Sequence, residues 1–442
     1  MKEIRKTEYR LKQLLTPQKA EKGIEYVPSQ FALPFTHGDR QYVFHTLTKQ
    51  CVEEALPSFC EAGEGYDELI ANYFLVPRGK DENAFYQSIL GLMRLFHQEE
   101  KKCGFTVLPT FACNARCVYC YQEGTAPVSM TPEIEEQTVR YLLENRDPDR
   151  PLYIKWYGGE PLLGEKTIDR ISQALCDAGV DYRCNMISNG SLITPAIVEK
   201  MTSLWHLESI QLSMDGAEED YRRRKCYPPG HDEYHDVLHA ISLLQDAGIR
   251  VSVRCNVDEG NWSRIPQFLE DLRTFVPGWK KVPFYFAPLF EVRGKEGVLD
   301  MWEKIISQHP SIRAEGFKTF LEGGGRFDYR FYRCVGDGGS LIITPDGNLY
   351  CCEHFPEGAK VGDIWNGITE PKTWGCFCHA DGVPDECMGC AFLPICIPLA
   401  VCPLINRDCR EVNRRILLAD LRFELDAALQ EETSGEETAS AC

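Results

Sequence analysis

Between Gly104 and about Leu289 the chain alternates two hydrophobic periods. Short apolar runs read as strands at Phe105–Thr110, Leu152–Tyr157, Arg183–Ile187, Ser209–Met214, Arg250–Val257 and Val282–Pro288. Between them, apolar positions three and four apart predict helices at Pro132–Asn145, Glu165–Ala178, Pro195–Ser203, Tyr234–Ala247 and Trp262–Phe275. Strands that alternate with helices form a parallel sheet. Six such units predict an α/β fold, an incomplete (β/α)6 TIM-like barrel, with ligands gathered at the carboxyl ends of its strands.

The pattern changes on both sides. Residues 1–100 read as a small α+β module: Gln41–Thr48 alternates like a strand of a hairpin, and Glu82–Phe96 has helical spacing. The barrel is expected over 101–320. A third block, 321–429, is rich in Gly, Pro and Cys and shows little helical periodicity before Val412–Leu429. The acidic, polar tail 430–442 is expected to be disordered, with no role for Cys442.

Composition narrows the function. No run of about 18 apolar residues is present, and no signal-like apolar region follows the charged N-terminus, so a cytoplasmic location is expected. In a reducing compartment 21 cysteines favour metal or cluster ligation over disulfides. A net charge of −18 argues against nucleic acid and anionic membranes as partners. The basic run Arg222–Lys225 reads as a solvated loop.

The sharpest chemical signal follows the first strand. Cys113, Cys117 and Cys120 have CxxxCxxC spacing, which brings three thiolates to one face of an iron–sulfur cube and leaves the fourth iron open to a small molecule. In a chain with so many cysteines the triplet can also arise by chance, so its neighbours decide. Tyr157-Gly158-Gly159-Glu160 follows the second strand, Ser188-Asn189-Gly190 the third and Met214-Asp215-Gly216 the fourth.

In motif and strand order this stretch resembles the radical S-adenosylmethionine (SAM) superfamily. The resemblance implies a 4Fe–4S cluster on Cys113, Cys117 and Cys120, with SAM chelating the open iron. One-electron cleavage of the sulfonium then yields methionine and a 5′-deoxyadenosyl radical that takes a hydrogen atom from the substrate. It implies that Gly158, Gly159 and Glu160, or nearby carbonyls, receive the SAM ammonium. Ser188, Asn189 and Ser213 resemble positions that contact the ribose or carboxylate, Arg254 is a candidate partner for the carboxylate, and Tyr119 is expected beside the adenine. Read alone, the two glycine sites are turns, Arg254 a surface ion-pair residue and Tyr119 a core tyrosine.

The third block follows the opening spacings of the SPASM domain of radical SAM peptide maturases: Cys334, twelve residues to Gly347, four to Cys352, then Cys387-Met-Gly-Cys390 and five residues to Cys396. It departs afterwards, with Cys402 and Cys409 off the family spacing. The resemblance implies two auxiliary 4Fe–4S clusters. One is carried by Cys387, Cys390, Cys396 and Cys409. The other is carried by Cys334, Cys352 and Cys402, its fourth iron taken by Cys351, Cys376 or Cys378 or left open to a substrate thiolate. Two zinc sites are the structural alternative, since tetrahedral thiolates suit zinc as well.

These features together predict a radical SAM/SPASM oxidoreductase that modifies a ribosomally made precursor peptide, with a thioether between sulfur and carbon as the expected product. In maturases of this kind a small module before the barrel captures the precursor's leader; the resemblance implies that residues 1–100 do so by adding a strand at an exposed edge near Gln41–Thr48, the alternative being a merely structural extension. A reductant such as flavodoxin or ferredoxin is the second expected partner. The alternatives are an anaerobic sulfatase-maturating enzyme, a carbon–carbon cross-linking enzyme, and a non-catalytic iron–sulfur or zinc scaffold or electron carrier. No general base stands out; Asp337, Asp346 and Asp363 lie in the right region without a selective argument.

Overall fold

The computed structural model describes residues 2–5, 15–98, 104–230, 232–289, 296–319, 340–354, 359–378 and 387–396, together with Arg414, Arg415, Leu418, Leu421, Arg422 and Leu425. Two compact units divide the chain. One gathers Met1–Lys101, Gly323–Arg333 and Asp381–Cys442; the other gathers Lys102–Glu322 and Cys334–Ala380.

The first unit holds strands β1 (Lys2–Arg5), β2 (Glu25–Pro28), β3 (Ala32–His37), β4 (Arg40–His45), β5 (Cys51–Glu53), β6 (Cys60–Glu61) and β7 (Leu75–Pro77). They form a four-stranded sheet, β1-β5-β4-β3, and a three-stranded sheet, β6-β2-β7. The helix Glu82–Gln98 follows, as its spacing predicts. The expected open edge does not lie at Gln41–Thr48: β4 is paired on both sides, with β3 and with β5, so its donors and acceptors are already spent. Among the described residues the edges of this sheet are β1 and β3, and Pro34 removes one donor from β3.

His45 ends β4 inside this unit, fully buried, with its Nδ1 accepting the Thr48 N–H at 3.1 Å. Burial pushes its pKa down to about 3, and Lys49 and Lys80 push the same way. The unfolded chain protonates this imidazole near 6.5 and the folded chain does not. The stability His45 contributes above that pH is therefore lost as pH falls toward 3, by about 2 kcal/mol at pH 5. Glu82, raised by burial, acts in the opposite sense. Comparing urea midpoints at pH 7.5 and 5.0 for the wild type and His45→Gln isolates the histidine, and the variant is expected to show the flatter pH dependence.

The second unit is built on β8 (Gly104–Val107), β9 (Leu152–Trp156), β10 (Tyr182–Ser188), β11 (Leu207–Met214), β12 (Arg250–Val257) and β13 (Phe284–Pro288). These six pair in parallel and in chain order, as predicted for the partial barrel. Helices start where the caps require. Thr131 and Thr194 accept N–H bonds from Ile134 and Ile197, and a proline opens each helix with its φ already helical. The sheet continues past β8 through β14 (Leu341–Ile343), β15 (Asn348–Tyr350), β16 (Lys360–Asp363) and β17 (Gly367–Ile368), with β14 parallel to β8 and the rest antiparallel. This pairing makes the stretch through Cys351 and Cys352 part of the barrel unit.

Register decides which face becomes functional. In β9, β10 and β11 buried positions alternate with partly exposed ones, so every second side chain shares a face. On the partly exposed face, pairing sets Lys155 beside Asn185 and Gln211 beside Ser252. It likewise aligns Ser213, Arg254 and Tyr285. Branched apolar residues would fill a closed barrel here. Polar residues at half-accessible positions fit a ligand instead.

Candidate functional site

The loop after β8 carries Cys113, Cys117 and Cys120 and is fixed by its backbone. Phe111 N–H donates to Val128 C=O at 2.8 Å, Arg116 N–H to Lys225 C=O at 2.8 Å and Val118 N–H to Arg224 C=O at 3.0 Å. The thiols are neighbours: each of the other two raises the pKa of Cys117. Burial is the larger cause, pushing Cys117 to about 11 against the pull of Lys225, and it also raises Cys113. The Ala115 N–H donates to Cys113 Sγ at 3.4 Å. A backbone donor aimed at sulfur, with three thiols on one anchored loop, is a donor set that fits a cluster ligated on three irons.

The Gly158-Gly159-Glu160 turn packs directly on that loop. Gly159 N–H donates to Thr110 C=O at 3.2 Å and Glu160 N–H to Ala112 C=O at 2.9 Å. Gly158 has φ +137°, and a Cβ on either glycine would overlap carbonyl oxygens of residues 110–112. Glu160 is fully buried, and its carboxylate accepts the Leu162 N–H (3.1 Å), the Ser188 hydroxyl (2.9 Å) and the Asn189 N–H (2.8 Å). Asn189 Nδ2 in turn donates to Asn114 Oδ1 at 2.8 Å, between the first two cysteines. Glu160, Ser188 and Asn189 thus lock three strand-end loops to one another.

On the other side stands a group that sequence reading missed. Arg222–Lys225 is not a solvated loop: it ends the helix Glu218–Lys225, and Arg224 and Lys225 are buried. Lys225 Nζ donates to Ser213 Oγ at 2.8 Å and lies 3.8 Å from Asp215. Burial alone would lower the Lys225 pKa, but Asp215, Tyr119 and Cys117 together hold it well above the usual lysine value. Arg224 pairs with Asp258 at 2.7 Å and lies over the Tyr119 ring, 5.3 Å from its centre. Tyr119 hydrogen-bonds Asp215 and accepts from Asn256 Nδ2 at 3.2 Å. Arg254 donates to Asn256 Oδ1 at 3.0 Å and to Tyr285 Oη at 3.4 Å. A charge run in sequence carries no sign of burial; the clue available was that it follows Asp215-Gly216 by only a few residues.

A cleft of about 480 Å³ opens beside these groups, lined by Val118, Arg224, Val257, Asp258, Pro288 and Met301 among others. It lies at the carboxyl ends of β12 and β13, where an α/β sheet receives ligands. Of the auxiliary candidates, Cys352 is half-buried and Cys351 buried, just after β15. The adjoining Glu353 pairs with Lys155 of β9, and the His354 ring lies 4.6 Å from that of Tyr121, whose hydroxyl meets Tyr157. Cys387 and Cys390 share one turn, Cys390 N–H to Cys387 C=O at 3.1 Å. Cys376 and Cys378 lie on the helix Pro371–Cys378, and Cys396 ends the helix Leu393–Cys396. Cys334, Cys402, Cys409 and Asp337 lie outside the described residues. Asp346 and Asp363 accept hydrogen bonds within their own turns, from Thr344 and from Asn366.

Residues 107–272 match the family model described as the radical SAM superfamily. This chain carries a radical SAM domain. Its cofactors are accordingly a 4Fe–4S cluster and SAM. The serine-type anaerobic sulfatase-maturating enzyme of Klebsiella aerogenes is 23% identical over 55% of this chain and 64% of its own. The antilisterial bacteriocin subtilosin biosynthesis protein AlbA of Bacillus subtilis is 23% identical over 59% of this chain and 57% of its own. The chain thus spans less than two thirds of either relative. Among solved structures, native anSMEcpe with bound AdoMet and Cp18Cys peptide superposes with TM-score 0.57 at 16% identity, covering 74% of this chain and 99% of that one. The radical SAM domain thus has its expected α/β fold, and no helix among the described residues is long and apolar enough to cross a membrane.

Proposed function

We propose that this radical SAM enzyme modifies a ribosomally made precursor peptide and joins a cysteine sulfur to a carbon of another residue. The observation that carries the reading is the approach, within one unit, of the three-cysteine loop and the half-buried Cys352 segment, where the His354 ring lies 4.6 Å from that of Tyr121 and Glu353 pairs with Lys155 of β9. The named functions of the relatives, sulfatase maturation and subtilosin biosynthesis, favour a peptide substrate. When bound, clusters and SAM supply the one-electron cleavage that yields the 5′-deoxyadenosyl radical and methionine, hydrogen abstraction from carbon, and an acceptor for the electron released as sulfur bonds to carbon.

The chain's own residues bind and orient. Cys113, Cys117 and Cys120 hold the cluster. The carbonyls around Gly158-Gly159 take the SAM ammonium, while Glu160, its lone pairs largely used, positions the Ser188–Asn189 loop. Lys225 and Ser213 supply a cation and a hydroxyl for the carboxylate, Arg254 adds a second cation on the same face, and the cleft beside Val118 receives the adenosyl group near Tyr119. Lys225→Met is expected to raise the Kd for SAM at least tenfold, and Arg222→Ala, exposed and paired with Glu218 and Asp232, to leave it unchanged. Isothermal titration of the reconstituted protein checks both.

Auxiliary clusters are assigned to Cys387, Cys390, Cys396 and Cys409, and to a second set that includes Cys334 and Cys352. Iron and sulfide analysis tests them: about four irons with stoichiometric zinc would replace clusters by zinc. Leader capture is assigned to the edge strand β1, since β4 is closed. Ile4→Pro is expected to weaken precursor binding about tenfold, and unchanged binding would remove leader recognition. The decisive test for the product is incubation with SAM, reductant and a cysteine-containing precursor peptide. Loss of two hydrogens, with that cysteine no longer alkylatable, is expected; loss of two hydrogens with a free thiol would point to carbon–carbon cross-linking or oxidation.

A further inference from the structure

The turn that carries Cys387 and Cys390 is built into the N-terminal module. Phe392 is buried against Phe35, Tyr42 and Phe44 of β3 and β4, and Leu393 enters a second core with Phe31, Leu47 and Tyr86. Cys390 packs against both cores and Cys387 against the second. The intervening backbone is held as well. Buried Thr46 donates from Oγ1 to Ala391 C=O at 2.6 Å, and Gly389 N–H donates to Asn83 Oδ1 at 3.2 Å. Asn83 is fixed in turn by Gln30 Nε2 at 2.9 Å. Gly389 sits at φ +73°, a conformation that glycine adopts freely, so the turn keeps its shape where a side chain would strain it.

Resting on the reading of Cys387 and Cys390 as cluster ligands, we infer that the N-terminal module is the scaffold of their auxiliary site. Thr46 and Asn83 act as positioning residues that set the spacing of the two thiolates through the backbone between them. An unanchored CxxC turn would still bind iron, but it would exchange conformations and surrender the metal faster; partners behind the ligands commonly change metal affinity 10–100-fold. The coupling runs both ways, because a cluster that stabilises this turn also stabilises the sheet on which Phe392 and Leu393 rest. A partner docked on an edge of that sheet would act on the same unit as the cluster.

The test uses the full chain with Cys113, Cys117 and Cys120 replaced by alanine, so that only auxiliary iron remains. In this parent, Thr46→Val and Asn83→Ala are expected to speed iron loss to a chelator about tenfold and to alter the EPR spectrum of the reduced protein, with Thr46→Ser restoring both. Cys387→Ala with Cys390→Ala is expected to reduce hydrogen-exchange protection of the β3–β4 hairpin. Unchanged chelation rates, spectra and protection in an iron-bearing parent overturn the inference alone. A parent with no iron overturns the ligand reading beneath it, and the inference with it.

Discussion

Replacing Cys113, Cys117 and Cys120 together by alanine is expected to bring reductive SAM cleavage to the rate without enzyme, to remove about four irons per chain and to leave the barrel folded. The first two effects follow from ligand chemistry. On the proposed assignment these thiolates hold the cluster, and without it no electron would reach the sulfonium. Retention of the fold follows from the structure, because the loop is tied through Phe111, Arg116 and Val118 backbone bonds and through the Gly158–Glu160 turn, none of which needs sulfur. Anaerobic incubation with SAM and dithionite, chromatography of 5′-deoxyadenosine, iron analysis and circular dichroism measure the three outcomes. Release of 5′-deoxyadenosine at the parental rate by the variant would move the cluster elsewhere. No release by the wild-type protein would favour an electron carrier.

The barrel was legible in the sequence because its signals are local and redundant. Strand β12 and the helices Pro132–Asn145 and Pro195–Ser203 have the predicted bounds, each helix marked by threonine before proline and then by apolar spacing. The helix expected from Trp262 instead opens with a 3-10 turn, Trp262–Arg264, before Ile265–Phe275. What escaped is non-local. Nothing in Arg222–Lys225 itself shows that its last two cations are buried beside Asp258, Ser213 and Asp215, since burial is decided by where the ends of β11 and β12 lie once the sheet has paired. In the same way, the alternation in Gln41–Thr48 identifies a strand but not its neighbours, and the partner strand β5 makes it internal. Glu160 is the intermediate case: its motif locates the turn, whereas its service to Ser188 and Asn189 appears only when β9 and β10 are paired.

Gly159→Ala is the substitution of a single atom's worth of side chain from which the next largest loss is expected. A Cβ at this position falls 2.7 Å from the Ala112 carbonyl carbon and closer still to the oxygens of Phe111 and Ala112. Those are backbone atoms of the loop that leads into Cys113, so relief requires moving either the cysteine loop or the turn proposed to present carbonyls to SAM. Overpacking of this kind costs about 1–3 kcal/mol in stability. The functional loss is expected to be larger, because the two bonds joining the loops, Gly159 to Thr110 and Glu160 to Ala112, would set the distance between the proposed cluster and SAM sites. Reductive cleavage should fall at least a hundredfold and SAM binding at least tenfold, while thermal denaturation shows a protein still folded. Gly91→Ala is the matched control: it lies in the helix Glu82–Gln98 with nothing within 4 Å of the added carbon, and a gain of about 0.5–1 kcal/mol is expected there from backbone entropy. Wild-type SAM affinity and cleavage in Gly159→Ala would mean that the two loops are not held in this register in the working enzyme. The assignments of Gly158, Glu160, Ser188 and Asn189 would then fall together, since all four depend on that contact.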